Sequence, residues 1–223
     1  DHVSPLARHA GLRARLDALE AAGLENPFFT LHEGRAGATI RTGGREHINF
    51  ASYNYLGLAG HPAVSAAAKA AIDQLGTSVS ASRLVAGERP LHGELERAVA
   101  NLIGTEASLA FISGALTNTT VIGHLFGPGD LVVTDAYAHD SIVQGAKLSG
   151  ATHRVFPHND WRALDALLAA VADGYRAVLV AVEGVYSMDG DIAELAPMVE
   201  VKRRHGAWLM VDEAHSVGVL GAS

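Results

Sequence analysis

The sequence predicts an α/β protein, a mainly parallel sheet with helices on both faces, preceded by an N-terminal arm of helix and hairpin. Three observations carry this. From Gly104 onward, short apolar runs alternate with helix-length stretches, the pattern of crossovers between parallel strands. The last run, Trp208 to Val211, is apolar and short, as a covered parallel strand is. It then breaks into the polar turn Asp212-Glu213-Ala214-His215-Ser216 and the glycine-punctuated stretch Val217-Gly218-Val219-Leu220-Gly221. In open α/β sheets ligands bind just beyond the carboxyl ends of strands, so an acid and an imidazole stand where chemistry is expected.

Taken in order, Pro5 to Ala22 carries Leu6, Leu12, Leu16 and Leu19 with arginines between them, which predicts an amphipathic helix ended by Asn26-Pro27. Ile40 to Phe50 contains Gly43-Gly44 between polar and β-prone residues and predicts a small hairpin. Asn54 to Leu58 reads as a turn. Ala63 to Leu75 reads as a helix with Pro62 at a favourable first-turn position. The predicted strands are Ser108–Ile112, Leu131–Thr134, Thr152–Phe156, Ala177–Glu183 and Trp208–Val211. The predicted helices are His92–Ile103, Leu116–Leu125, Asp140–Ser149, Trp161–Ala172 and Leu195–His205. Residues 1–60 form an arm too small for its own core, and residues 61–223 form the larger domain.

The 223 residues are 48% hydrophobic and 18% charged with a net charge of -7, a globular and enzyme-like composition. The acidic balance argues against a nucleic-acid surface. The absence of cysteine excludes disulfides, thiol catalysis and cysteine-ligated zinc. No apolar run approaches the ~18 residues that span a bilayer, and no signal-peptide pattern opens the chain, so a cytoplasmic location is expected. Beginning at Asp1 and stopping at Ser223 inside a glycine-rich stretch, the chain is expected to be part of a longer protein.

Four strand ends carry candidate chemistry. Ser113-Gly114-Ala115 opens a helix whose free N–H groups suit an anion, and Gly114 permits close approach; an ordinary helix cap reads the same way. His139, in Ala138-His139-Asp140-Ser141, can stack on a flat ligand, or it is a loop histidine beside a cap at Asp140 or Ser141. The stretch Glu183 to Asp191 is a structured loop: either Glu183 and Ser187 face the crevice, or the loop is turn chemistry, which Asp189-Gly190 supports for those two residues. The acidic box Asp212-Glu213-Ala214-His215 also occurs in helicase-type triphosphatases, but no GxxxxGK[ST] phosphate loop precedes it. A metal site lacks a third ligand at short spacing. The reading that joins all four ends is a flat, phosphorylated pyridine cofactor, pyridoxal 5'-phosphate, with a carboxylate paired to its ring nitrogen.

With these residues in view, the chain resembles the α-oxoamine synthases, pyridoxal-phosphate-dependent acyltransferases of the aspartate-aminotransferase fold. The matching segments are NYLGL (54–58), Ser82-Arg83, His92 with Leu95-Glu96, SGALTN (113–118), HDS (139–141), HND (158–160), EGVYSMDGD (183–191) and DEAHSVGVLG (212–221). They follow in order over most of residues 50–221, and the last two are highly specific as a pair.

The resemblance implies the fold-type I large domain and a set of roles. Asp212 would pair with the pyridinium nitrogen, His215 with the ring's phenolic oxygen, and His139 would stack on the ring. Ser187 would help hold the cofactor or the intermediate, and Gly114 and Ala115 would bind the cofactor's phosphate. Asn54 and Glu183 would lie near the substrate carboxylate and the intermediate. The implied reaction is a decarboxylative Claisen condensation of a small amino acid with an acyl thioester. It also implies a homodimer in which the Gly76–Arg83 loop reaches the neighbour's cofactor.

In the family one lysine both holds the cofactor and acts as base. Lys69, Lys147 and Lys202 sit in helix-like stretches, so that lysine is expected past Ser223; the alternative is a lysine-less partner subunit, or another fold-type I aminotransferase or decarboxylase. Ala115 replaces a frequent aromatic residue, and Ala86-Gly87-Glu88-Arg89-Pro90 replaces a glycine-threonine turn. The Ser80-to-His92 form is similar to versions attached to secondary-metabolite pathways, which leaves the acyl donor open between acyl-CoA and an acyl carrier protein.

Overall fold

The computed structural model describes residues 10–24 and 29–221. The chain divides into two compact units, Asp1–Ser78 and Val79–Ser223.

In the first unit, helix α1 spans Ala10–Ala21. The expected stop at Asn26-Pro27 lies outside the described residues. Strands β1 (Thr39–Thr42) and β2 (Arg45–Ile48) pair antiparallel, with Thr42 opposite Arg45. The two residues between them, Gly43 and Gly44, both have positive φ (56° and 73°). A two-residue hairpin loop whose twist matches the strands requires that geometry, and glycine adopts it without strain. Helix α2 (Pro62–Leu75) starts on the proline and is capped by His61, whose Nδ1 accepts the Ala63 N–H at 3.3 Å.

The second unit begins with a π-helical turn, Arg83–Gly87, in which Ser82 O accepts the N–H groups of Val85, Ala86 and Gly87. A Cβ on Gly87 would lie 2.1 Å from Ala81 O, so only glycine fits. Arg83 is gripped by two carboxylates, Nε on Glu88 at 2.5 Å and Nη1 on Glu96 at 2.5 Å. The guanidinium, with the Ala110 N–H, draws the Glu96 carboxyl down to about 2. Glu96 belongs to helix α3 (Pro90–Ile103), which opens on a proline at its first turn and closes on Gly104 at φ 77°.

The predicted strand Ser108–Ile112 is not a strand. The segment is extended, but its bonds go to α3. Ala110 N–H donates to Glu96 Oε1 at 2.9 Å, and Ser108 Oγ donates to Glu96 O at 2.7 Å. Leu109 and Ile112 are exposed. Extended backbone is a local preference, whereas a ladder needs a neighbour, and here a side chain took the donor.

The other four strands form one parallel sheet in the order β4-β3-β5-β6. They are β3 (Leu131–Asp135), β4 (Thr152–Phe156), β5 (Val178–Glu183) and β6 (Trp208–Asp212). The central strands β3 and β5 are buried at every position, both in their apolar runs and at their polar ends, Thr134, Asp135 and Glu183. β6 was expected to be covered; among the described residues it is an edge strand with Trp208 exposed.

Helices α4 (Gly114–Leu125) and α5 (Asp140–Ser149) cover one face, where Ile122, Ile142 and Ala146 pack on Val132, Leu179 and Ala181. Helices α6 (Trp161–Val171) and α7 (Leu195–Arg204) cover the other, where Leu164, Leu168, Met198 and Val201 pack on Val133, Val180 and Val182. The side chains of one strand alternate between the two cores, as a pleated strand requires. The predicted end of α6 at Ala172 passes instead into a 3₁₀ turn, Ala172–Gly174.

The chain leaves β3 toward β4 on one side, then returns to place β5 and β6 on the other. The order therefore reverses between β3 and β5, and a crevice opens at their carboxyl ends. No described helix is long and apolar enough to cross a membrane.

Candidate active site

Helix α4 starts where Ser113, in extended conformation, turns its Oγ back to the Leu116 N–H at 3.2 Å. Ser113 O accepts the Thr117 N–H at 2.9 Å. The N–H groups of Gly114 and Ala115 precede these bonds and have no acceptor within the helix. They carry the partial positive charge of the helix start. A Cβ at Gly114 would meet nothing within 4 Å, so the space before this end is open.

Helix α5 is capped by His139 itself, not by Asp140 or Ser141. Its Nδ1 accepts the Ser141 N–H at 3.2 Å and lies 2.7 Å from Ser141 Oγ. Because Nδ1 accepts, the ring proton belongs on Nε2. α4 and α5 lie unusually close at Gly145, where a Cβ would come within 2.9 Å of Ile122 Cβ and 3.0 Å of Asn118 O. That approach brings Asn118, almost fully buried, against Ser141, and Asn118 Nδ2 donates to Ser141 Oγ at 3.0 Å.

The same Nδ2 donates to Asp212 Oδ2 at 2.7 Å, while Asp212 Oδ1 accepts the Ala214 N–H at 3.0 Å. A continuous hydrogen-bonded path thus runs from Asp212 at the end of β6 through Asn118 and Ser141 to His139 after β3. Asn118 and Ser141 are the residues that motif reading missed as site residues. The available signal was spacing, since Asn118 stands one turn beyond Gly114 on the helix that offers the anion site.

Glu183 ends β5 directly opposite Asp212 in the ladder. It is 2% exposed, and its Oε1 has no partner among the described residues. Burial pushes its carboxyl up, and the nearby Asp212 charge adds to this, while the backbone N–H groups of His139 and Ser187 oppose it. His215 is half-buried in the turn after β6, beside Ser216, whose Oγ donates to Glu213. Ser187 is exposed at the turn of a short hairpin closed by the Val185–Ile192 bridge.

The second unit therefore holds His139, Glu183 and Asp212 together, with Gly114 and Ala115 on the helix that orients Asp212. Asn54 belongs to the first unit. Its Nδ2 donates to Ala36 O and its Oδ1 accepts the Ala59 N–H, both at 2.9 Å, so its amide holds the 54–59 turn. Lys69, Lys147 and Lys202 lie in α2, α5 and α7.

A carboxylate with its orientation locked, an imidazole two strands away in the sheet and an open helix N-terminus form a polar set for a flat ring with a cationic nitrogen and a phosphate. The fold and this strand-end site define the large domain of a fold-type I transferase. The chain belongs to the aminotransferase class I and II family, whose family model matches residues 45–223.

Among curated relatives, a putative 8-amino-7-oxononanoate synthase of Cyanothece sp. is 43% identical over 96% of this chain and 54% of its own length. The 8-amino-7-oxononanoate synthase of Geobacter sulfurreducens is 45% identical over 95% of this chain and 54% of its own. Among solved structures, Sphingomonas wittichii serine palmitoyltransferase superposes with a TM-score of 0.94 at 36% identity, covering 99% of this chain and 55% of that one. A serine palmitoyltransferase variant from S. paucimobilis with a bound PLP–myriocin aldimine gives 0.94 at 36% identity, covering 99% and 57%. The chain spans about half the length of the curated relatives it matches. The resemblance to α-oxoamine synthases drawn from the motifs is borne out by these matches.

Proposed function

We propose that this chain is the amino-terminal, cofactor-binding half of a pyridoxal-phosphate-dependent α-oxoamine synthase. It would join a small amino acid to an acyl thioester, carried by CoA or an acyl carrier protein, with loss of carbon dioxide. The observation that carries this reading is the locked pair Asn118–Asp212 at a strand end, set between a buried carboxyl and an open helix start.

The residues divide the work. Asp212, its Oδ2 held by Asn118, presents a carboxylate to a protonated ring nitrogen, and each stabilises the charge of the other. Gly114 and Ala115 offer backbone N–H groups to the phosphate. His139, with its proton on Nε2 and its ring held by Ser141, covers one face of the ring. His215 hydrogen-bonds the ring hydroxyl, and Ser187 supports the bound group from the β5 side. When bound, the cofactor supplies the electron sink that makes a carbanion at the amino acid's Cα accessible.

Residues 1–60 are assigned to an arm of the small domain. The lysine that holds the cofactor is assigned to the residues after Ser223. A cytoplasmic homodimer completes the reading, with the Gly76–Arg83 loop reaching the partner's cofactor. A chain continuing without that lysine would instead support the non-catalytic partner subunit.

The test is thiol release from acyl-CoA and acyl carrier protein donors by the full-length protein loaded with pyridoxal phosphate, across the small amino acids. Release that depends on both cofactor and amino acid is the expected result. No release with any donor overturns the proposal.

A further inference from the structure

His158 lies in the turn after β4, yet it bonds to two other strand ends. Its Nδ1 is 2.8 Å from Asp135 Oδ1, at the end of β3. Its Nε2 is 2.9 Å from Asp191 Oδ2, in the hairpin after β5. A neutral imidazole offers one N–H and one lone pair, whereas an ionised carboxylate only accepts. Both contacts are hydrogen bonds only when the ring carries both protons. The resulting cation is stacked on Tyr137 at a centroid distance of 4.2 Å and 19°, and meets Tyr186 edge-on at 4.5 Å.

Asn159 completes the grip. It adopts φ 53°, a left-handed conformation that asparagine tolerates. Its N–H donates to Asp135 Oδ2 at 2.7 Å, and its Nδ2 donates to Asp191 Oδ2 at 3.2 Å and to Ile192 O at 2.9 Å. Its Oδ1 accepts the Glu194 N–H at 2.9 Å. The gripped hairpin is closed by Gly190 N–H to Tyr186 O at 2.8 Å and Tyr186 N–H to Asp191 O at 3.0 Å, and it carries Ser187.

We propose that His158, as an imidazolium, is a positioning residue that clasps the Val185–Ile192 hairpin to the end of β3 and so holds Ser187 at the crevice. The role of Ser187 there rests on the α-oxoamine synthase reading; the clasp itself does not.

The titratable groups facing the ring are Asp135 and Tyr137 from β3 and its turn, and Tyr186 and Asp191 from the hairpin. Burial acts to lower the His158 pKa, but the hydrogen bonds to Asp135 and Asp191 outweigh it and raise the value above the ordinary one. A raised imidazole pKa contributes stability that is complete below the unfolded pKa and is lost as pH rises through the folded pKa. The hairpin therefore loosens on the alkaline side.

The test is amide hydrogen exchange on the full-length protein from about pH 6 to about pH 9, each rate taken relative to its intrinsic value. The reporters are the Tyr186, Gly190 and Ala193 amides, which bond within the hairpin and at its base. In the wild type, protection is expected to fall through one transition as pH rises. Asp191→Asn keeps an oxygen for Nε2 but removes one negative charge, so the transition is expected to move to lower pH while protection at the acid end stays near wild type. His158→Gln is expected to lose roughly tenfold of the protection at acid pH and to show no transition.

Wild-type protection that does not change with pH overturns the clasp, as does an unshifted transition in Asp191→Asn. Pyridoxal phosphate titrated into the same samples separates the two readings. Failure to bind at any pH overturns the cofactor assignment, while the exchange data still decide the clasp.

Discussion

Asn118 Nδ2 donates to Asp212 Oδ2 at 2.7 Å across 94 positions of chain, joining α4 to the last strand of the sheet. The same nitrogen reaches Ser141 Oγ at 3.0 Å, so one buried amide fixes the carboxylate and the cap of α5 together. Asn118→Ala strands both partners. Leaving a hydrogen-bonded charged group without its donor costs about 1.5–3 kcal/mol. Pyridoxal phosphate affinity of the full-length protein should fall by at least about tenfold, as a cofactor titration by absorbance would show.

Asp212→Ala separates binding from chemistry. The N–H groups of Gly114 and Ala115 do not depend on this side chain, so the variant should retain measurable cofactor binding. Without the carboxylate the ring nitrogen loses its counter-charge, and turnover should drop by ~10²-fold or more. Near-wild-type thiol release by the cofactor-loaded variant would remove Asp212 from the catalytic set.

Gly145 is the contact that lets α4 and α5 approach. Gly145→Val would drive a side chain into Ile122 and the backbone of α4 at Asn118. Overpacking of this kind costs about 1–3 kcal/mol. The melting temperature should fall, and cofactor affinity should fall with it, because the Asn118–Ser141 distance opens. Gly174, where a Cβ would meet nothing within 4 Å, should accept alanine with little change and serves as the control.

Glu183 is held toward its neutral form by burial, with its carboxyl pushed up. A group whose folded pKa is raised contributes stability below its unfolded pKa and loses it as pH rises through the folded value. Glu183→Gln stays neutral at every pH. Relative to wild type, its stability should improve as pH rises through the Glu183 titration and should show no such gain in acid. Denaturant melts across that range, compared at constant ionic strength, would check the sign.

Much of the fold was legible because it is local. Thr152–Phe156 and Asp140–Ser149 have the boundaries that their own residues predict. Pro62 opens its helix as its backbone limits require, whereas α3 starts on Pro90, two residues before the expected His92. Gly43-Gly44 makes its turn for the same reason. Ser108–Ile112 was misread because its extended preference is real, while the partner that would have made it a strand is absent from the described residues and Glu96 takes the Ala110 N–H instead.

The residue types at three strand ends, His139, Glu183 and Asp212, and at the start of α4, Gly114, follow from the sequence by itself. Periodicity, capping and turn chemistry act over a few neighbouring residues, and they can be read where those residues stand. Which side chains then meet was decided only by tertiary structure. Asn118 reaches Asp212 because the sheet order reverses between β3 and β5 and because Gly145 lets α5 close on α4. His158 becomes a clasp because two carboxylates, 23 and 33 positions away, converge on its two nitrogens. Hydrogen bonds depend on distances of a few tenths of an ångström between residues far apart in the chain, and those distances exist only once the helices are packed.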